Sequence, residues 1–386
     1  MTSSRADALQ IEALLRAAQE NHQSGRLREA EPLYHQILAR EPNHAEALHL
    51  VGLIAHQTGR NEAAIEFVRK AAQLDPKNPG YLHNLGIIHR AAGQVEAAIA
   101  AYHEALRLNP DFVAARLSIA HALRAAGRAA EAERHYHYAL LRQPELAEAC
   151  YGLGLVLADS RLFAEATRLL RRAVELKPDY AEARLGLSRL LRLGGQPAAA
   201  AAECEAAISV RSDYPDLHVE LSLDLLAQGQ MARGWAEAEW RWHKPAAKPR
   251  RDRYPQAAWR GEPLAGKSIL IWEEPVAEDE IRCAGMFAEI IAGGASVTIE
   301  CADSHVQLLR ESFPVATVIA SGDASAAKPV VTDYQIAAGD LPRLLRPELA
   351  SFPRRDEAYL RVDAKRVREV VFFSLDLKRE NGINAE

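Results

Sequence analysis

Five prolines, Pro42, Pro76, Pro110, Pro144 and Pro178, stand 34 residues apart in this chain without a slip. So strict a period belongs to a repeat architecture, in which one small unit is copied and stacked on its neighbours. Glycines keep the same beat in another phase, at Gly25, Gly59, Gly93, Gly127, Gly195 and Gly229, with Arg161 where the series skips. Helix, turn, helix and stop is the unit implied. Glycine closes one helix in a left-handed turn, and proline prevents the next helix from continuing.

The unit beginning at Ala45 shows how such a copy would fold. Leu48, Val51, Gly52 and Ala55 fall at three- and four-residue spacing on one face of a first helix, and Gly59 closes it. Ala64, Val68 and Ala71 mark one face of a second helix, and Pro76 begins the exit. Small residues recur where the two helices would approach, as Gly52 with Ala64, Gly86 with Ala98, Ala120 with Ala132, Gly154 with Ala166 and Ser188 with Ala200.

This is the pattern of the tetratricopeptide repeat, which the chain resembles from Ile11 to about Lys248. The expected fold is mainly α, a tetratricopeptide helical solenoid followed by a small α/β Rossmann-like parallel-sheet domain. Residues 1–10 are polar and expected to fray until a helix starts near Asp7 or Ile11. Residues 11–248 form the solenoid of about seven repeats, 249–258 a basic, proline-containing linker, 259–366 a partial α/β domain and 367–386 a divergent tail.

Composition agrees with that division. A chain of 386 residues is too long for one ordinary core, and 48% hydrophobic content with only 6% aromatics suits alanine- and leucine-rich helices. A net charge of −5 argues against a nucleic-acid partner. Cys150, Cys204, Cys283 and Cys301 are widely spaced and lie in apolar patterns, so buried thiols in a reducing compartment are expected. With no leader-like segment and no long apolar run, the expectation is a cytoplasmic protein without membrane insertion.

Trp235 and Trp242, seven residues apart near the end of the repeats, would share a helical face that docks onto the next domain. Beyond Trp259 the period is gone. Strands are expected at Ser268–Trp272, Ser296–Glu300, Ala316–Ala320 and Tyr334–Ile336, with helices at Glu278–Ala292 and His305–Glu311, the alternation of a parallel sheet. Gly261 to Ser268 spells G-x-x-x-x-G-K-S, but a strand leaves that loop where a phosphate cradle needs a helix, so a plain turn is the better reading.

From Trp235 to about Arg366 the chain also resembles a bacterial family in which tetratricopeptide repeats precede a glycosyltransferase-like domain of the two-Rossmann type. The resemblance rests on Glu239-Trp-Arg-Trp242, on Trp259-Arg-Gly-Glu-Pro-Leu-Ala-Gly-Lys267, on Asp279-Glu-Ile281, on Ser312-Phe-Pro314, on Asp340-Leu-Pro342 and on Ala358 to Asp363. It implies Asp279 as the catalytic base and a sugar nucleotide as co-substrate. Two loop glycines of that family fall on Val276 and Glu278 here, and the second Rossmann half does not follow. The expectation is therefore a truncated remnant, no cofactor, and catalysis by this polypeptide alone disfavoured; the alternative is a protein O-glycosyltransferase whose repeats present the acceptor.

The solenoid then carries the expected function, binding a partner protein or peptide in the concave groove lined by first helices. Opposite the core face lie His49, His56, His83, Asn84, Arg90, His121, Arg124, Tyr151, Arg189 and Arg192. Arginine offers forked donors and histidine donates or accepts near neutrality, which suits carboxylates and peptide carbonyls and so an acidic partner. No cysteine–histidine spacing points to a metal.

Overall fold

The computed structural model describes the backbone of residues 2–245, 252–273, 277–321, 331–352 and 360, and within it the side chains of all but 2–6, 277–280 and 282. Val276, Ala358 to Tyr359 and the tail from 361 lie outside the described residues. The chain forms two compact bodies, residues 1–190 and 191–386.

In the first body, antiparallel helix pairs follow the sequence period. They are α1 (Thr2–Gln23) with α2 (Leu27–Arg40), α3 (Ala45–Gln57) with α4 (Asn61–Leu74), α5 (Pro79–Ala91) with α6 (Val95–Leu108), α7 (Val113–Ala125) with α8 (Ala129–Arg142), and α9 (Ala147–Asp159) with α10 (Phe163–Leu176). The stretch expected to fray is helical from Thr2 onward, continuing directly into the turns that bury Ile11 and Ala18. Every glycine of the beat has positive φ, between 71° and 80°, and the skipped position is filled by Arg161 at φ 61°. After Gly59, the Arg60 amide donates to the Ala55 carbonyl at 2.8 Å, the closing bond of a left-handed helix end.

The small residues have the role their spacing suggests. A Cβ added at Gly52 would lie 2.5 Å from Val68 Cγ2 and 3.2 Å from the Ala64 carbonyl. At Gly86 it would strike the Tyr102 ring at 2.4 Å, so there it is an aromatic ring of the second helix, not Ala98, that demands glycine. Tyr34, Tyr102 and Tyr136 are wholly buried, one in each of three second helices, and fill the space between paired helices. First helices of neighbouring pairs approach one another more closely than second helices do, which puts the wall of first helices on the inside of the stack.

The second body joins the last helices to a sheet. After α11 (Ala181–Leu193), which spans the division, come α12 (Pro197–Val210), α13 (Pro215–Ala227), α14 (Met231–Ala238) and a 3-10 turn at Glu239–His243. Among the described residues five strands follow, β1 (Ala257–Ala258), β2 (Ser268–Trp272), β3 (Ser296–Cys301), β4 (Thr317–Ala320) and β5 (Tyr334–Ala337), in the order β1-β5-β2-β3-β4 with every pair parallel. Their helices are α15 (Ala277–Ala292), α16 (Val306–Ser312) and α17 (Leu341–Leu345).

Both faces of β2 are covered, which explains its unbroken apolar run Ser-Ile-Leu-Ile-Trp. Ile269 and Ile271 join Phe287, Ile290, Val297 and Phe313 on the side of α15. Leu270 and Trp272 face the other way, with Trp242 and Tyr254. Trp242 lies 5.6 Å from the Trp272 ring, and Trp235 Nε1 donates to the Arg346 carbonyl at 2.8 Å. Both tryptophans thus dock on the sheet region, but not from one helical face, because the α-helix ends at Ala238 and the chain tightens into the 3-10 turn before Trp242. The four cysteines are buried and none is in a disulfide. No helix among the described residues is long and apolar enough to cross a membrane.

Candidate binding wall of the helix stack

Residues on the inner side of the first helices repeat at the 34-residue step. One column holds Leu15, His49, His83, Leu117 and Tyr151; the next holds Gln19, Leu53, Ile87, His121 and Leu155; a third holds His22, His56, Arg90, Arg124 and Ala158. Most of these side chains are half-buried, which is what a wall lining a groove presents.

Several of the sequence candidates are occupied in holding neighbouring repeats together. Asn84 Nδ2 donates to His49 Nε2 at 2.8 Å, and His83 Nε2 lies 3.0 Å from the Ser118 hydroxyl. Both links join residues 35 apart, one first helix to the next. Farther toward the amino end, His22 Nε2 donates to Gln57 Oε1 at 3.1 Å in the same manner. His56 instead turns to its own pair, where Nδ1 donates to Asn61 Oδ1 at 2.8 Å. Tyr151 sits against Tyr180 with ring centroids 5.0 Å apart.

Three of the wall histidines, His49, His83 and His121, are held below the ordinary imidazole value. Burial pushes His49 down to about 4, with the nearby His22 adding to the effect. His121 is pushed to about 4 as well, first by burial and then by the charges of Arg124 and Arg90. Burial also lowers His83. His121 Nδ1 is hydrogen-bonded to the Tyr136 hydroxyl at 2.7 Å, so the ring is fixed by the second helix of its own pair.

Arg90 is exposed and Arg124 half-buried. Arg189 is exposed on α11 in the first body. Arg192 belongs to the second body and is not available there, because its guanidinium donates to Glu220 and, at 3.1 Å, to Asp224 Oδ1. Asp224 is wholly buried, and burial raises its carboxyl to about 6 against the opposing pull of Arg192. Of the ten candidates, Arg90, His121, Arg124 and Arg189 therefore face the groove of the first body, Arg189 two repeats beyond His121 in the same column. Sequence reasoning missed Ser118, Tyr102 and Tyr136, whose parts in this group come from contacts across repeats or across helix pairs. The 34-residue column itself is the signal that would have found Ser118, since it follows Asn84 at one step.

In the second body, the carboxyl ends of β2 and β5 border a cavity of about 100 Å³ lined by Trp242, Trp259, Trp272, Glu239, Asp340 and Arg343. That is smaller than the roughly 300–1,000 Å³ usual for small-molecule sites. Arg260 also lines it, Arg343 pairs with Glu239 at 3.2 Å, and Asp340 pairs with Arg241. Asp279 lies in the first turn of α15, and its side chain is outside the described residues. The Gly261 to Ser268 stretch lies at the other, amino-terminal edge. Its Ser268 amide and hydroxyl both donate to Asp333 Oδ2 at 2.8 Å, and Lys267 Nζ is 3.5 Å from Asp333 Oδ1. A carboxylate of the chain itself takes the donors that a phosphate would need. Among the described residues no cluster of histidine, cysteine, aspartate and glutamate is placed to hold a metal.

Residues 10–79, 117–166 and 151–216 match a family model described as tetratricopeptide repeat, and residues 79–112 match a second model of the same description. Among solved structures, a tetratricopeptide repeat protein from Parabacteroides merdae ATCC 43184 is similar at 21% identity and a TM-score of 0.52, over 62% of this chain and 96% of that one. A chain of the APC/C hetero-tetramer Cut9–Hcn1 is similar at 16% identity and a TM-score of 0.52, over 61% of this chain and 47% of that one. At such identities the likeness carries the fold alone. A search of curated proteins finds no match.

Proposed function

The chain belongs to the tetratricopeptide repeat family, and from that premise we propose that it is an interaction scaffold whose inner wall grips an extended segment of a partner protein. The observation that carries this reading is the column Leu53, Ile87, His121 and Leu155. It places one half-buried side chain per repeat on the inner side of the stack, at a regular step. Extended peptides are matched by such a row, since a chain laid along it meets a similar contact at each repeat. The wall is pre-built, because the His49–Asn84 and His83–Ser118 bonds fix neighbouring first helices before any partner arrives. Within the second body the sheet serves as a cap on the helices before it, where Trp235 and Trp242 dock, and four buried thiols outside any disulfide suit a reducing, cytoplasmic setting.

Selection of a displayed random peptide library on the full chain, followed by affinity measurement of the recovered peptides, tests this reading. Ile87→Glu and Leu155→Glu should each weaken binding at least about tenfold, the scale of a contact residue at an interface centre. Equal affinity in both variants, with the folds intact by circular dichroism, would overturn it.

An enzymatic reading draws on one observation, the all-parallel sheet of the second body, whose carboxyl edge is where ligands of such sheets sit. On that reading the chain is a glycosyltransferase, the repeats present a protein acceptor and Asp279 is the base. Calorimetry with a sugar nucleotide decides it: heat above that of buffer, lost in Asp279→Asn, supports the enzyme, and heat equal to buffer removes it.

A further inference from the structure

The two first helices at the middle of the stack, α5 and α7, contain no aspartate or glutamate. Their neighbours on either side do, with Glu46 on α3, and Glu148 and Asp159 on α9. Arg90 and Arg124 stand one repeat apart in this acid-free section, and no ion pair with a carboxylate joins either among the described residues. The Arg124 guanidinium lies against the Tyr136 hydroxyl, but its Nε is buried with no hydrogen-bond partner, although an N–H withdrawn from water costs free energy until an acceptor meets it. The Tyr102 hydroxyl, from the second helix paired with α5, is likewise buried without a bond of good geometry, with Arg90 and Ser118 near it. His121, fixed by Tyr136 between the two arginines in sequence, is neutral and adds no positive charge of its own. Glu148, whose charge also reaches His121, is 3.6 Å from Lys177 Nζ and so already compensated.

We infer that Arg90 and Arg124 form a carboxylate-binding site at the centre of the wall, and that the segment the scaffold grips is acidic, with an aspartate or glutamate side chain seated between them. This rests on the scaffold reading above. A carboxylate supplies two oxygens in a plane, which matches the forked donors of arginine better than a peptide carbonyl does. It would also supply an acceptor for the orphaned Arg124 Nε.

The test uses the full chain and three fluorescein-labelled peptides of equal length, one built on repeated glutamate, one with glutamine at every glutamate, and one with phosphoserine at every glutamate. Fluorescence anisotropy should show the glutamate peptide bound at least about tenfold more tightly than the glutamine peptide, the value of one charge-assisted contact. Arg90→Gln and Arg124→Gln should each weaken the glutamate peptide about tenfold, whereas Arg69→Gln and Arg171→Gln, on second helices, should leave it unchanged. Arg124→Lys keeps the charge but loses the fork, and should recover only part of the affinity. If glutamate and glutamine peptides bind alike and both depend on Ile87, the scaffold stands and the carboxylate site falls. Binding by the phosphoserine peptide alone would assign the site to phosphate and overturn it. Failure of all three, or equal loss in the second-helix variants, would overturn it as well.

Discussion

Arg161 occupies, at φ 61°, the turn position that Gly127 fills one repeat earlier at φ 75°. A side chain at that backbone angle crowds the neighbouring carbonyl, whereas glycine has no Cβ to do so. Space is not the constraint, since a Cβ at Gly127 would meet nothing within 4 Å. Arg161→Gly should therefore stabilise the fold by up to about 1 kcal/mol, offset in part by the greater freedom of glycine in the unfolded chain. Gly127→Arg should cost a similar amount. Urea midpoints of the two variants, moving in opposite directions, check both.

Gly86 and Gly154 occupy the same place in their repeats but face different neighbours. Alanine at Gly86 would drive a methyl into the wholly buried Tyr102 ring at 2.4 Å, while at Gly154 it meets the branched end of Leu170 at 3.0 Å. Gly86→Ala should destabilise by about 1–3 kcal/mol, the range for overpacking a filled core. Gly154→Ala should cost much less, because a leucine tip can turn and alanine gains helix propensity. Adding Tyr102→Leu to Gly86→Ala should restore part of the loss in thermal melts.

The wall histidines make stability depend on pH in a stated direction. His49 and His121 are held to about 4, below the value of about 6.5 they regain on unfolding. Between those limits the unfolded chain binds more protons than the folded one, so the contribution is intact above about pH 6.5 and drains away as pH falls toward 4. Each site is partly open to solvent, and about 1 kcal/mol apiece is the reasonable scale after screening. Comparing urea midpoints at about pH 7.5 and about pH 5, either side of the unfolded value, for the parent and for His49→Gln with His121→Gln checks it. The double variant should lose less on acidification.

Arg192 stands between two carboxylates, Glu220 and the buried Asp224. Arg192→Met should destabilise by about 3–5 kcal/mol, because it abandons two charges in the interior. Replacing all three residues by apolar ones of similar size should recover most of that loss, as a core without charges needs no partner for them. Melting temperatures of the single and triple variants distinguish a charge effect from a packing effect. An equal drop in both would attribute it to packing.

The repeats were legible from sequence because helix pairs store their instructions locally. Pro76 ends α4, Gly59 turns the chain, and Val68 and Ala71 need only their own pair to be buried. The strands Ser268–Trp272 and Ser296–Cys301 were equally plain as apolar runs. What resisted reading depends on distant partners. β1 is two exposed alanines, defined only by their pairing with Tyr334 and Gln335. Spacing marks the inner-wall residues as one helix face, but nothing local shows that His49 is taken by Asn84, or His83 by Ser118, each 35 residues away. Arg192 looked like another groove residue because the acids that hold it arrive with the next repeat. The spacing of Trp235 and Trp242 points to docking, as the structure shows, while the 3-10 turn at Glu239–His243 leaves no mark in that spacing.

The strand order has a consequence for synthesis on the ribosome. β5, the last of the described strands to emerge, lies between β1 and β2, which emerge long before it. Each helix pair upstream can settle against its predecessor soon after it leaves the exit tunnel, but the sheet must wait for Ala337 before its centre is filled. Until then β2 has Trp242 and α15 to cover its two faces, while one of its edges waits beside nascent chain with its amides and carbonyls unclaimed.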